Sequence, residues 1–270
     1  MTELTVALGG LGAIGLPVAR ALDAGDVPGL RLSAVSARDV GKAEARVAGF
    51  RAPPPVVAPA ELAARAEVVV EAAPATVFMA IAEPAVAAGR VLLPLSVGAL
   101  LSHPELIEQA RRTGARLVVP SGAILGLDAV RAAAEGDISS VTMVTRKPPG
   151  GLAGAPYLQA QGIDLDGIDE PVRVFAGSAR EAAQGFPANI NVAAALSLAG
   201  IGPDRTRVEI WADPTVSRNV HSIRVDGDAA RFEMSIENIP SAENPRTGRL
   251  TALSTLATLR GLVAPLHVGA

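Results

Sequence analysis

The sequence predicts an α/β chain in two parts, a parallel-sheet domain followed by an α+β region built on a mostly antiparallel sheet. Two observations carry this. Over the first ~120 residues, short β-like runs alternate with Ala-rich helical runs, which is the signature of βαβ units. Beyond Gly122, five strand-like runs with period-two patterning follow one another, with two helices between them. At 270 residues, 49% of them apolar, the chain can build two cores of this kind.

The elements follow in order. "LTVALGG" is a buried strand, and "LPVARALDAG" is a helix stopped by Gly25. "RLSAVSA" is a second strand, after which Asp39 fits as N-cap of "VGKAEARVAGF". "AEVVVEAA", "RVLLPLSV" and "ARLVVPSG" are further strands, each preceded by a helical segment, with Ser102 expected to cap "HPELIEQARR". Past Gly122, "GLDAVRAAAEG" is a helix, and "SSVTMVTRK", "PVRVFAG", "RTRVEIWAD", "RNVHSIRVDG" and "AARFEMSIEN" are strands. A capping box, Ser178 to Glu181, opens one intervening helix, and "NINVAAALSLAG" is the other. "RLTALSTLATLRGL" closes the chain as an amphipathic helix, while "KPPGGLAGAP" and "IPSAENPRTG" are loops.

Composition excludes several classes of function. Without cysteine there is no disulfide, no thiolate nucleophile and no Cys-ligated metal, and no metal site is expected. A formal charge of −3 with scattered basic residues argues against a nucleic-acid partner. The longest apolar run, "VLLPLSVGALL", is too short for a membrane span and contains a proline. "MTELTV" lacks the basic start and apolar stretch of a secretory signal, so a cytoplasmic protein is expected.

Gly10-x-Gly12-x-x-Gly15 lies between the first strand and the first helix. In a Rossmann dinucleotide-binding domain, Gly10 permits the tight turn, Gly12 lets the backbone approach a pyrophosphate and Gly15 lets helix and strand pack closely. Free N–H groups at the helix start, near Ala13 and Ile14, supply the anion site. The second strand ends without the acid that holds the ribose 2′-hydroxyl of NAD. Ser36 and Arg38 stand there instead and suit the 2′-phosphate of NADP, so either NAD or NADP is expected, with NADP accepted. The alternative for Arg38 is a solvated surface arginine.

On the strand "SRNVHSIRV", Asn219, His221, Ile223 and Val225 share the more apolar, inward face, and Arg218 and Arg224 look out. His221 is either a core histidine bonded to nearby backbone or a general acid/base with a pKa near neutrality. The pattern leaves both open. His103 and His267 are expected to be solvated.

"SVGAL" (96–100), "PSGAILGLDAV" (120–130), "VTRKPP" (144–149), "FPANINVAAALSLAG" (186–200) and "ADPTVSRNVHSI" (212–223) resemble the NAD(P)-dependent L-aspartate dehydrogenases, in order and over nearly the whole chain. The resemblance implies oxidative deamination of L-aspartate to oxaloacetate and ammonia through iminoaspartate, with a role in supplying iminoaspartate for NAD synthesis. It implies His221 as the catalytic histidine and cofactor contacts at Ala123 and Asn189. It further implies a homodimer formed through the second domain's sheet, and a last helix folded back on the dinucleotide domain. The expected domains are therefore 1–121 plus 242–270 and 122–241.

The two substrate carboxylates call for cations or N–H donors. Arg146 and Lys147, at the end of a strand before a Pro-Gly loop, are the candidates, with backbone amides around "SVGAL" and "SGAI" assisting. A solvated strand end is the alternative for the two cations. Rival readings are another two-domain NAD(P) oxidoreductase, homoserine-dehydrogenase-like or dihydrodipicolinate-reductase-like, and a catalytically silent NAD(P)-binding sensor.

Overall fold

A computed structural model describes residues 3–188, 190–241 and 248–269. The chain divides into two compact units, Met1–Pro120 with Thr251–His267, and Ser121–Leu250 with Val268–Ala270. The return to the first unit falls at Thr251, where the sequence reading set it at residue 242.

The first unit runs β1 (Leu4–Gly9), α1 (Gly15–Ala24), β2 (Leu30–Ser36), α2 (Val40–Val47), α3 (Leu62–Arg65), β3 (Val68–Glu71), α4 (Phe78–Ala87), β4 (Val91–Pro94), α5 (Val97–Leu101), α6 (Glu105–Thr113) and β5 (Arg116–Leu117). Its strands pair in parallel in the order β2-β1-β3-β4-β5. Such a sheet is covered on both faces, which explains why "VVVE" carries no alternation. Successive residues of one strand feed opposite layers. Val6, Leu8, Val68 and Val70 pack on one side with Val18, and Ala7 and Val69 pack on the other with Phe78 and Ile81.

Two local expectations fail here. β4 stops at Pro94 and the chain turns helical at Val97, so Ser102 closes α5 instead of opening the next helix; its N–H donates to the Ala99 and Leu100 carbonyls. Pro104, whose fixed φ of −62° suits a helix start, takes the N-cap place of α6. "ARLVVPSG" contributes only Arg116–Leu117 to the sheet.

The second unit contains α7 (Leu127–Ala133), β6 (Ile138–Lys147), α8 (Pro156–Gln161), β7 (Val172–Ser178), α9 (Ala179–Gly185), α10 (Asn191–Ala199), β8 (Arg207–Ala212), β9 (Asn219–Gly227) and β10 (Arg231–Asn238). The strand order is β10-β9-β6-β8-β7, with β6 and β8 parallel and the other pairs antiparallel. One face of this sheet, carrying Val141, Met143, Val208, Ile210, Ile223 and Val225, packs on Val130, Phe186 and Leu196 of the helical layer. The Ser178–Glu181 capping box forms, with the Ser178 hydroxyl accepting from the Glu181 amide at 3.2 Å. α8 was not foreseen. It starts at Pro156, a residue suited to the first helical position, and its Tyr157 ring lies 5.2 Å from Phe175 and 5.4 Å from Phe186.

The last helix, α11 (Arg249–Gly261), runs into the first unit, where Leu259 is fully buried beside the β1–β3 core and the Arg260 guanidinium donates to the Asp26 carbonyl at 2.7 Å. No helix among the described residues is long and apolar enough to cross a membrane.

Candidate active site

The glycine segment forms the turn between β1 and α1. Gly10 adopts φ +105°, and a Cβ there would run into the Ala72 backbone; a Cβ at Gly15 would strike the Gly10 carbonyl oxygen. Glycine is required at both positions by the close approach of backbone to backbone. The Gly10 amide donates to the Ser36 carbonyl at 2.7 Å, which fixes the turn to the end of β2. Above Gly12 there is open space, and the amides of Gly12, Ala13 and Ile14 donate to no group among the described residues. Those unspent donors at the head of a ten-residue helix fit the pyrophosphate of a dinucleotide.

The second strand ends as the sequence suggested, with differences in role. Ser36 is buried and Arg38 is exposed, with no ion pair among the described residues. Asp39 is spent as the N-cap of α2, accepting from the Lys42 amide at 3.0 Å. Arg46, which sequence reading passed over, reaches from α2 to the Leu11 carbonyl at 2.6 Å and braces the glycine turn.

In the second unit, His221 is 3% exposed on the core face of β9, as the alternation predicted. Strand pairing puts Thr145 directly beside it, and the Thr145 hydroxyl lies 3.1 Å from His221 Nδ1. Nδ1 is thereby occupied and Nε2 is left for other partners. Lys147, 5% exposed, follows two residues along β6 and so shares this face. Burial first, and the Lys147 charge second, lower the His221 pKa from 6.5 to about 3. The expectation of a pKa near neutrality is therefore overturned for the chain by itself: the imidazole is held neutral.

Arg146 is not brought to this site. The alternation that turns Thr145 and Lys147 inward turns Arg146 to the opposite face. There it forms a 3.0 Å ion pair with buried Asp213 and stacks 4.8 Å over the Trp211 ring. The Thr215 hydroxyl, with the Thr215 amide and Arg146 adding to it, holds the Asp213 carboxyl below its ordinary range. Arg146 thus serves the strand end, and its assignment to substrate is withdrawn. His103, by contrast with the expected solvation, is only partly exposed, stacked 6.2 Å from the Phe78 ring and 2.8 Å from Glu105. His267 is exposed.

Asn189 lies outside the described residues. Ala123 is held through its carbonyl, which accepts from Asn238 Nδ2 at 2.9 Å. Asn238, unnoticed in the sequence although it ends the inward series Phe232, Met234, Ile236, pairs with Asn219 just as Ile236 pairs with His221. Of the "SVGAL" amides, that of Ser96 already donates to the Glu71 carboxylate at 2.9 Å and is not free for a substrate. Among the described residues no cluster could hold a metal ion.

Two predictions follow from this geometry. Gly15→Ala should cost about 1–3 kcal/mol of stability by forcing the turn apart; a urea-unfolding change below about 0.5 kcal/mol would contradict the close approach. Acid should also weaken the fold through His221. Between pH 6.5 and about 3 the unfolded chain binds the imidazole proton and the folded chain does not, so this contribution is complete above 6.5 and lost as pH falls toward 3. From pH 7.5 to 5 the loss should be about 2 kcal/mol in wild type and absent in His221→Asn. Parallel pH dependences in the two proteins would refute it.

The chain is similar to known proteins over nearly its whole length. Residues 10–120 match the family model described as the NAD-binding domain of homoserine dehydrogenase, and residues 128–262 match aspartate dehydrogenase, C-terminal. The chain is 57% identical to the L-aspartate dehydrogenase of Bradyrhizobium diazoefficiens, over 99% of this chain and 95% of that one. It is 56% identical to L-aspartate dehydrogenase 3 of Bordetella bronchiseptica, over 99% and 98%. The crystal structure of aspartate dehydrogenase from Thermotoga maritima superposes with a TM-score of 0.74 at 25% identity, covering 98% of this chain and 99% of that one. With a dinucleotide turn in one unit, a buried His–Thr pair in the other and full-length relatives at this identity, the chain belongs to the aspartate dehydrogenase family.

Proposed function

We propose that the chain is an L-aspartate dehydrogenase that converts L-aspartate, water and NAD(P)⁺ to oxaloacetate, ammonium, NAD(P)H and a proton. The observation that carries the reading is the buried row of Thr145, His221 and Lys147 on one sheet face, in a chain with relatives named for this activity. A bound nicotinamide supplies the hydride acceptor at its C4 atom. Loss of hydride from Cα and of a proton from the amine leaves the C=N bond of iminoaspartate, and water then adds to that carbon.

His221 takes the proton from this water at Nε2 and returns one to the departing nitrogen. Thr145 keeps the ring oriented in either state, because with Nε2 as the base Nδ1 carries a hydrogen before and after the transfer and donates it to the threonine hydroxyl oxygen. Lys147 binds one substrate carboxylate. The arriving negative charge offsets the Lys147 charge that depresses the imidazole, so substrate binding makes His221 a stronger base. A silent sensor would have no use for a neutral buried imidazole aligned in this way, and the homoserine dehydrogenase family model matches residues 10–120 while residues 128–262 match aspartate dehydrogenase, C-terminal.

For the cofactor we propose that both NAD and NADP are accepted, with exposed Arg38 meeting the 2′-phosphate at the end of β2 beside Ser36. We further propose a cytoplasmic homodimer joined through the outer face of the second unit's sheet. That face carries a row of Val220, Arg146, Trp211 and Arg173, none of them part of that unit's hydrophobic core.

NADPH or NADH oxidation should require oxaloacetate and ammonium together; oxidation with oxaloacetate alone would contradict the activity. His221→Ala should lower kcat by about 10²–10⁴, and Thr145→Val by roughly tenfold to a hundredfold, both with near wild-type cofactor affinity. If either loss tracks the unfolded fraction, with normal specific activity in the folded remainder, the core-histidine reading is correct. Arg38→Ala should weaken NADPH about tenfold and leave NADH nearly unchanged; equal losses would remove Arg38 from the site.

A further inference from the structure

Two carboxylates among the described residues are buried and unused by the mechanism: Asp213, paired with Arg146, and Glu71. Glu71 ends β3 with 0% exposure and pairs in register with Gly9, the residue before the glycine turn. In the order β2-β1-β3, strands β1 and β3 flank the point where the winding reverses, and ligands of open parallel sheets bind there, beyond the carboxyl ends of the strands. A carboxylate in that position is costly to bury and must be satisfied.

The partners of Glu71 are specific. Oε1 accepts from the Ala73 amide at 3.1 Å and the Ser96 hydroxyl at 3.0 Å, and Oε2 accepts from the Ser96 amide at 2.9 Å. The Ser96 hydroxyl also lies 3.3 Å from the Ala73 carbonyl. One side chain therefore joins the loop after β3 to the loop after β4. The first loop also walls the glycine turn, since the Ala72 amide donates to Gly9 at 2.8 Å and the Ala72 carbonyl fills the space where a Gly10 side chain would stand. Every partner named is a donor, so the ionised carboxylate is the form that fits, although burial raises the pKa of this group above its ordinary value.

We propose that Glu71 is a positioning residue for the dinucleotide site, holding the loops after β3 and β4 so that the glycine turn keeps its binding shape. This rests on the dinucleotide reading above. Glutamine is the informative replacement, because it conserves size and removes the charge. Each carboxylate oxygen faces a backbone N–H, so the glutamine NH₂ meets a fixed donor whichever way the amide is turned.

The test titrates NADPH and NADH separately into wild type and Glu71→Gln, reading nicotinamide fluorescence, with folded fraction followed by circular dichroism. Affinity of the folded variant should fall by about tenfold or more for both dinucleotides. Wild-type affinity should weaken on acidification as Glu71 takes a proton, while the variant shows no such step. If Glu71→Gln does not fold, Ser96→Ala removes one donor and should weaken binding severalfold. Wild-type affinity in Glu71→Gln, or in Ser96→Ala where that variant is the one measured, overturns the proposal. Wild type that binds neither dinucleotide overturns the dinucleotide reading, and the proposal with it.

Discussion

A neutral imidazole buried in a sheet, with its Nδ1 against a threonine hydroxyl and an ammonium group on the same face, sets the character of this molecule. His221 is nearly inaccessible in the second unit, and its pKa is depressed to about 3 by burial and then by Lys147. A carboxylate in place of Thr145 would stabilise the imidazolium and favour a charged ring. Threonine fixes orientation without favouring either charge state. The arrangement suits a base that must be unprotonated when water adds to an imine.

The first unit solves a different problem by backbone means. Its glycine turn is shaped by carbonyls and amides: Ser36 and Ala72 press on Gly10, Gly10 presses on Gly15, and Arg46 ties down Leu11. Such a turn leaves several amides unspent, and these suit an anionic ligand. Glu71 adds a charge to this scheme where the loops after β3 and β4 meet. Side-chain chemistry is thus concentrated in the second unit, while the first presents oriented backbone.

Much of this was legible in the sequence where the relevant rule is local. The glycine spacing reads directly because only glycine tolerates those approaches, and period-two alternation placed His221 inward because its strand is covered on one face. The same alternation, applied to "VTRK", would have separated Arg146 from Lys147; treating neighbours as one cationic pair ignored it. Thr145 was illegible for another reason. It lies 76 residues from His221 in sequence, and the register between β6 and β9 is set by the packed sheet, not by either segment alone. The depressed pKa was missed with it, since its second cause is a cross-strand neighbour. Ser102 misled because a hydroxyl before a helix is a good cap in general, but here Pro104 opens the helix and a short preceding helix claims the serine.

That His221 is held neutral with Nδ1 engaged by Thr145 is open to direct observation by nitrogen-15 NMR of the imidazoles. With three histidines in the sequence, His221→Asn assigns the resonance by its disappearance. The His221 ring should stay neutral down to at least pH 5 without substrate, and a bound dicarboxylate should move its titration upward. A ring that takes its proton near 6.5, indifferent to Thr145→Val and to the dicarboxylate, would contradict it.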